Sequence, residues 1–225
     1  MKLGIFTDPH YSTQEITCGK RFNSQSLRKI RQAYIAFETA RCDLIICLGD
    51  LIDKEPTHQQ EIQNLREVAA IIQASPIRTV CLMGNHDAFA FTPEEFYGIL
   101  GCRPQDMLLG NSYLKFLDAC YFENGTRYAP GDSDWENTWL PPEQLQGISE
   151  ANYVFIHQNI DPTIREDHRI ANDRLVRAAL EKSRNLKVVF QGHYHPGAES
   201  THSGVRYKTL PAMCEQEDTF LIVDI

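Results

Sequence analysis

Seven side chains of the types that bind divalent metal ions stand directly after short apolar runs of this 225-residue chain. The set combines carboxylates, imidazoles and one side-chain amide, and it contains no thiolate. Such mixed oxygen and nitrogen ligands suit manganese, iron or zinc better than calcium or copper(I). The seven residues are Asp8, His10, Asp50, Asn85, His157, His193 and His195.

Each of these side chains stands at the end of a predicted strand. Asp8 and His10 end the first apolar run, Asp50 the second, Asn85 the third, His157 the fourth, and His193 and His195 the fifth. In open α/β sheets, ligands bind in the crevice beyond the carboxyl ends of the strands. We therefore expect the seven residues to meet at one site.

Each motif alone has an ordinary structural explanation. An Asp-x-His pair is common, Gly49-Asp50 is compatible with a simple turn, and Asn85 tolerates the left-handed backbone that turns require. The order of the motifs is more specific than any one of them. It runs Asp8-Pro9-His10, Gly49-Asp50-Leu51-Ile52-Asp53, Gly84-Asn85-His86-Asp87, His157, and Gly192-His193-Tyr194-His195.

This series resembles the calcineurin-like metallophosphoesterase family from residue 8 to residue 195. The length of the chain and the absence of a break in composition predict a single domain over residues 1–225. The resemblance implies a four-layer α/β sandwich of two packed mixed β-sheets flanked by helices. It also implies two divalent ions. Asp8, His10 and His195 would hold one ion, Asn85, His157 and His193 the other, and Asp50 would bridge them.

The implied reaction is hydrolysis of a phosphoester. Two ions about 3.5–4 Å apart clamp the attacking and leaving oxygens, and they lower the pKa of a bound water towards roughly 7, so that hydroxide forms at neutral pH. The family pattern also gives His86 a catalytic role at the leaving oxygen. Asp87 would orient His86, with a loop cap as the alternative. Asp53 would support the site without binding metal, with a helix cap as the alternative.

The elements that must position these residues alternate between strands and helices. Apolar runs at 3–6, 44–48, 78–83, 153–156 and 186–190 predict strands, and 205–210 and 220–225 predict two more. Between them, Leu27, Ile30, Tyr34 and Phe37 form a helical stripe, as do Ile62, Leu65, Ala69 and Ile72. A third helix is predicted around residues 175–180, so the fold class is α/β.

Composition limits the partners. The formal net charge of −8 disfavours a nucleic-acid surface, since such surfaces need clustered Lys and Arg. No segment reads as a signal peptide or as a membrane span, and seven cysteines without C-x-x-C spacing favour reduced thiols. We therefore expect a cytoplasmic protein without a membrane partner.

The substrate expected is a small phosphorylated molecule, with nucleotides among the candidates. The Arg21-Phe22 pair and the segment 140–145 are similar to the branch that contains ADP-ribose/CDP-alcohol diphosphatases and class III cyclic nucleotide phosphodiesterases. Selectivity is expected in loops at 11–22, 88–97 and 121–139. The alternatives are a non-catalytic scaffold of the same fold, which would have lost ligands, and a nuclease, which the acidity opposes.

Overall fold

Two β-sheets form the centre of the structure, a computed structural model that describes residues 1–225. The first sheet has the strand order β10-β1-β2-β3, with β1 (Lys2–Phe6), β2 (Leu44–Cys47) and β3 (Thr79–Cys81) parallel and β10 (Leu221–Asp224) antiparallel to β1. The second sheet has the order β4-β5-β6-β7-β9-β8. Its strands are β4 (Met107–Leu109), β5 (Ser112–Leu117), β6 (Tyr153–Ile156), β7 (Val188–Gln191), β8 (Ala198–His202) and β9 (Val205–Thr209).

Strand alternation explains how the two sheets pack. In β2, Ile46 points into a cluster shared with Phe155 and Phe190 of the second sheet, whereas Ile45 and Cys47 belong to the cluster on the other face. Both faces of these strands are apolar because both are covered, as parallel sheets require. The shared cluster therefore joins the sheets face to face.

Helices cover the two outer faces and complete the four layers. The first sheet carries α1 (Ser26–Thr39), α2 (His58–Ala74), α3 (Asn85–Ala90) and α4 (Pro93–Leu100), and the second carries α5 (Asp173–Leu180). The predicted α/β class and the arrangement of two mixed sheets flanked by helices are confirmed. No helix combines the length and the apolar content that a membrane span requires.

The interpretation of residues 88–97 as a loop is wrong, because α3 and α4 occupy almost all of this stretch. Thr92 caps α4 by accepting a hydrogen bond from the backbone of Glu95, and Pro93 fills the first helical position, where no backbone donor is needed. Both helices are short, so their sequences span too few turns to show a helical period. The edge strands β4 and β8 were not predicted either, because β4 has only three residues and β8 contains no apolar run.

Candidate metal centre and substrate cleft

The carboxyl ends of the parallel strands turn sharply, and side chains of metal-ligand type stand at the turns. Asp8, His10, Asp50 and His193 have φ angles of 51°, 44°, 54° and 64°, in the left-handed region. Non-glycine residues adopt this region at a cost, and such residues concentrate at functional sites. The strained turns aim side chains from both sheets at one point, since Asp8, His10 and Asp50 follow the first sheet and His193 follows the second.

One group of side chains joins the end of β1 to the end of β7. Nε2 of His10 lies 3.2 Å from Nε2 of His195, and both nitrogens lie 3.6 Å from Oδ1 of Asp8. That oxygen is buried without a hydrogen-bond partner, whereas Oδ2 accepts hydrogen bonds from Thr7 and from the backbone of His193. A buried carboxylate oxygen facing two imidazole nitrogens fits a cation between them.

A second group lies beside the first. Nε2 of His157 is 3.2 Å from Oδ1 of Asn85, and His157, His193 and Asp50 each offer a ligand atom within 4.8 Å of the others. Oδ2 of Asp50 lies 3.2 Å from Nε2 of His157 and 3.5 Å from Nε2 of His10. Asp50 therefore stands between the two groups, and all seven predicted ligands come together.

Two glycines of the motifs allow this close approach. Gly49 has a φ of 117°, and a Cβ there would lie 2.6 Å from the backbone nitrogen of Gly84. A Cβ on Gly84 would lie 2.1 Å from Oδ1 of Asp50. A side chain at Gly84 would displace Asp50, and one at Gly49 would push against the backbone of Gly84 and the ring of His157, which explains why both motifs contain glycine there.

Burial sets the protonation of two histidines that face the centre, His10 and His193. It lowers the pKa of His10 to about 4 and, together with the charge of His157, the pKa of His193 to about 3. Both imidazoles are therefore neutral at pH 7, which is the form that binds metal. Nδ1 of His157 lies 3.0 Å from the carbonyl oxygen of Leu48, a contact that directs Nε2 towards Asp50.

The structure pairs His86 with Asp53. Nδ1 of His86 lies 3.0 Å from Oδ1 of Asp53, while Oδ2 of Asp53 accepts hydrogen bonds from Thr17, Arg21 and Asn23. Burial alone would lower the pKa of His86, but the charges of Asp50 and Asp53 outweigh it and raise the pKa. The imidazole is partly exposed and lines the cleft described below.

The side chain of Asp87 forms no hydrogen bond with His86, contrary to the orienting role predicted for it. Its Oδ2 accepts a hydrogen bond from the backbone of Gly84, and its Oδ1 accepts from the backbone of Leu51 and Ile52. Asp87 is fully buried and ties the loop after β3 to the loop after β2. Asp87 adjoins His86 in the chain, whereas Asp53 lies 33 residues before it, so only the fold shows that Asp53 is the partner of His86.

A segment beyond the last motif also reaches the centre. A carboxylate oxygen of Glu215 contacts Nδ1 of His195, and a ring nitrogen of His10, one of His195 and Sγ of Cys214 lie within 4.8 Å of one another. The backbone of Cys214 donates to the carbonyl oxygen of Asp8. Sequence reasoning missed Glu215 and Cys214. Their one signal is that they follow β9, whose carboxyl end lies at the same edge of the second sheet.

The centre opens into a cleft of about 670 Å³. This volume lies within the range of pockets that hold small molecules. Lys20, Arg21 and Lys54 lie on its wall, as do Tyr194 and His168. Lys54 forms no ion pair and lies 4.7 Å from the ring centre of Phe89. His58 and His202 lie outside the cleft.

Known proteins resemble this chain in sequence and in fold. It is 28% identical over 200 residues to a probable cyclic nucleotide phosphodiesterase of Psychrobacter arcticus, covering 80% of this chain and 68% of that protein. It is 27% identical over 217 residues to the human serine/threonine-protein phosphatase CPPED1, covering 87% of this chain and 67% of that protein. A dimetal phosphatase from Danio rerio has the same fold, with a TM-score of 0.85, 18% identity, and coverage of 98% of this chain and 91% of that one.

The calcineurin-like phosphoesterase model matches residues 1–197, which include every sequence motif described above. The family indicates a metal-dependent hydrolase that acts on phosphoester bonds. The resemblance seen in the order of the motifs is thus confirmed, and the chain belongs to the calcineurin-like phosphoesterase family.

Proposed function

We propose that this chain is a two-metal phosphoesterase that hydrolyses a small phosphoester, phosphodiester or nucleotide diphosphate. The position of Asp50 carries the proposal, because Oδ2 lies within 3.5 Å of one imidazole from each ligand group. Asp8, His10 and His195 would hold one ion, and Asn85, His157 and His193 the other. Asp50 would offset the repulsion between the two cations.

The donor set supports two ions of manganese, iron or zinc. The ligands are carboxylate, imidazole and amide groups, and the buried oxygen Oδ1 of Asp8 has no protein partner. Bound ions would supply Lewis acidity towards phosphoryl oxygens and would acidify water at neutral pH. The remaining chemistry belongs to protein side chains.

His86 is the proposed proton donor to the leaving oxygen. Asp53 accepts the hydrogen bond of Nδ1–H, so Nε2 is the ring nitrogen left to face the substrate. The contact with Asp53 favours the protonated ring, which is the form that a proton donor requires. Asp53, rather than Asp87, is the proposed orienting carboxylate.

The cleft supports a small anionic substrate. Lys20, Arg21 and Lys54 line the cleft of a protein whose formal net charge is −8. Lys20 pairs with Glu215 and Arg21 pairs with Asp53, which leaves Lys54 as the cation available to pair with a substrate phosphate. Relatives named as a cyclic nucleotide phosphodiesterase and as a phosphatase agree with phosphate-ester substrates. Within that class we favour phosphodiesters and nucleotides.

Metal reconstitution tests the proposal. Protein stripped by chelator and reloaded with manganese should contain about two metal equivalents and should cleave bis-p-nitrophenyl phosphate, a nucleotide diphosphate or a cyclic nucleotide. Asp50→Asn should reduce both metal content and turnover. His202→Gln is the matched control, because His202 lies in β8 outside the cleft. A reloaded protein with fewer than two equivalents, or with no hydrolysis of any of the three, would contradict the proposal.

A further inference from the structure

Three aromatic side chains form one wall of the cleft, directly beside the candidate metal centre. The aromatic wall consists of Trp135, His168 and Tyr194. The ring centre of Trp135 lies 5.4 Å from that of His168 and 5.8 Å from that of His193, and the rings of His168 and Tyr194 meet edge to face at 5.3 Å. A ligand bound at the candidate metal centre beside His193 would therefore lie close to the partly exposed indole of Trp135.

The protein holds the aromatic wall in place through contacts made by its neighbours. The hydroxyl of Tyr128 donates to the carbonyl oxygen of Asp134, at 2.6 Å, and this fixes the residue before Trp135. The backbone of Gly131 donates to the carbonyl oxygen of Phe89 at the end of α3, at 2.8 Å. A wall fixed before binding loses little side-chain freedom when a ligand packs against it.

Nothing in the proposed hydrolysis uses this wall. The ligand groups and His86 act on the phosphoryl group, whereas an exposed aromatic surface gains free energy when a flat apolar ring packs on it. The same cleft carries the cations Lys20, Arg21 and Lys54. The ligand that satisfies both features has a planar ring and a phosphate in one small molecule. An extended phosphopeptide brings no such ring to the wall.

We propose that the aromatic wall is a base-stacking site, with Trp135 as its platform, and that the substrates are nucleotides or nucleotide esters. This inference rests on the proposed function, since it places the phosphate at the candidate metal centre. Base stacking on an aromatic side chain is sequence-tolerant, because every base has a π face. The presence or absence of a base should therefore affect binding more strongly than the identity of the base does.

Tryptophan fluorescence tests base binding without any turnover. The chain has two tryptophans, and Trp139 lines a separate open depression beside Phe122 and Asn124. Trp139→Phe thus leaves Trp135 as the sole reporter. In this variant, loaded with manganese, AMP should change the emission of Trp135, and ribose 5-phosphate, which lacks only the base, should not. No response to AMP at millimolar concentration, or an equal response to both compounds, overturns the inference, as does a response to a phosphoserine peptide that exceeds the response to AMP.

Kinetics with two matched esters test the role in specificity. The p-nitrophenyl ester of thymidine 5′-monophosphate and methyl p-nitrophenyl phosphate share a leaving group and differ in the nucleoside. We expect kcat/KM to favour the nucleoside ester by about tenfold or more, mainly through KM. Trp135→Leu should remove most of that preference, Trp135→Phe should restore it in part, and Trp139→Phe should keep it.

The outcomes separate this inference from the proposed function. If both esters are cleaved but the native protein shows no preference, or Trp135→Leu keeps the preference unchanged, the base-stacking role of the aromatic wall is overturned. The proposed phosphoesterase function then still stands. Cleavage of neither ester contradicts the phosphoesterase. The response of Trp135 to AMP then still decides whether the wall binds a base.

Discussion

Asp53 and His86 come from different loops and meet with their side-chain atoms Oδ1 and Nδ1 3.0 Å apart. Asp53 follows β2, and His86 opens α3 after β3. The other oxygen of Asp53 is held by Thr17, Arg21 and Asn23, which belong to the loop after β1. Three strand-end loops thus fix the orientation of one imidazole.

Asp53→Asn should lower kcat by about 10–100-fold, the range found when a hydrogen-bonded partner of an active-site group is lost. The amide cannot stabilise a protonated His86 as the carboxylate does. His86→Ala should cost more, about 10²–10⁴-fold, because the proton donor itself is lost. Both variants should retain two metal equivalents by elemental analysis. An unchanged kcat and pH–rate profile in Asp53→Asn would remove Asp53 from the mechanism.

Asp87→Asn should lower the stability of the folded protein, whereas Asp53→Asn should lower kcat. The side-chain oxygens of Asp87 accept from the backbone of Gly84, Leu51 and Ile52, and an asparagine turns an N–H group towards at least one of these donors. We expect a loss of about 1–3 kcal/mol in the free energy of unfolding, measured with urea. A normal stability combined with a kcat loss as large as that of Asp53→Asn would restore the catalytic role predicted for Asp87 from the sequence.

The sequence predicts the ligand residues of the candidate site better than it predicts the contacts that hold them in place. Asp8, Asp50 and His157 follow strongly apolar strands, and parallel strands bring such ends to one edge. The contacts of Asp53, Asp87 and Glu215 depend instead on how loops from different strands meet. No local pattern records that relationship.

Glu215→Gln should weaken metal binding at the group that contains His195. The carboxylate of Glu215 contacts Nδ1 of His195, which fixes the ring with Nε2 towards Asp8. Loss of such a partner typically reduces metal affinity by about 10–100-fold, and competition with a chelator measures it. Glu217→Gln is the matched control, since Glu217 pairs with Arg28 and Lys29 away from the cleft. Equal affinities in the two variants would count against the role of Glu215.

His58 should make the stability of the α2–α4 contact depend on pH. It lies 3.1 Å from Glu61 and 3.0 Å from Glu95, at the start of α2. Burial alone would lower the pKa of His58, but the two glutamates outweigh it and raise the pKa above its ordinary value of 6.5. A raised pKa in the folded state means that the stabilisation is fully present below pH 6.5 and is lost as the pH rises through the folded value.

The matched variant His58→Gln should therefore be less stable than the native protein at pH 5.5, and the two should converge at pH 8.5. The difference should not exceed about 1 kcal/mol, because the imidazole is 47% exposed and solvent screens the pair. Urea unfolding at the two pH values measures it, with the metal concentration held constant. Glu95→Gln should remove part of the same pH dependence. The double variant should lose less unfolding free energy than the sum of the losses in the two single variants. A stability difference that grows with pH would reverse the sign argued for His58.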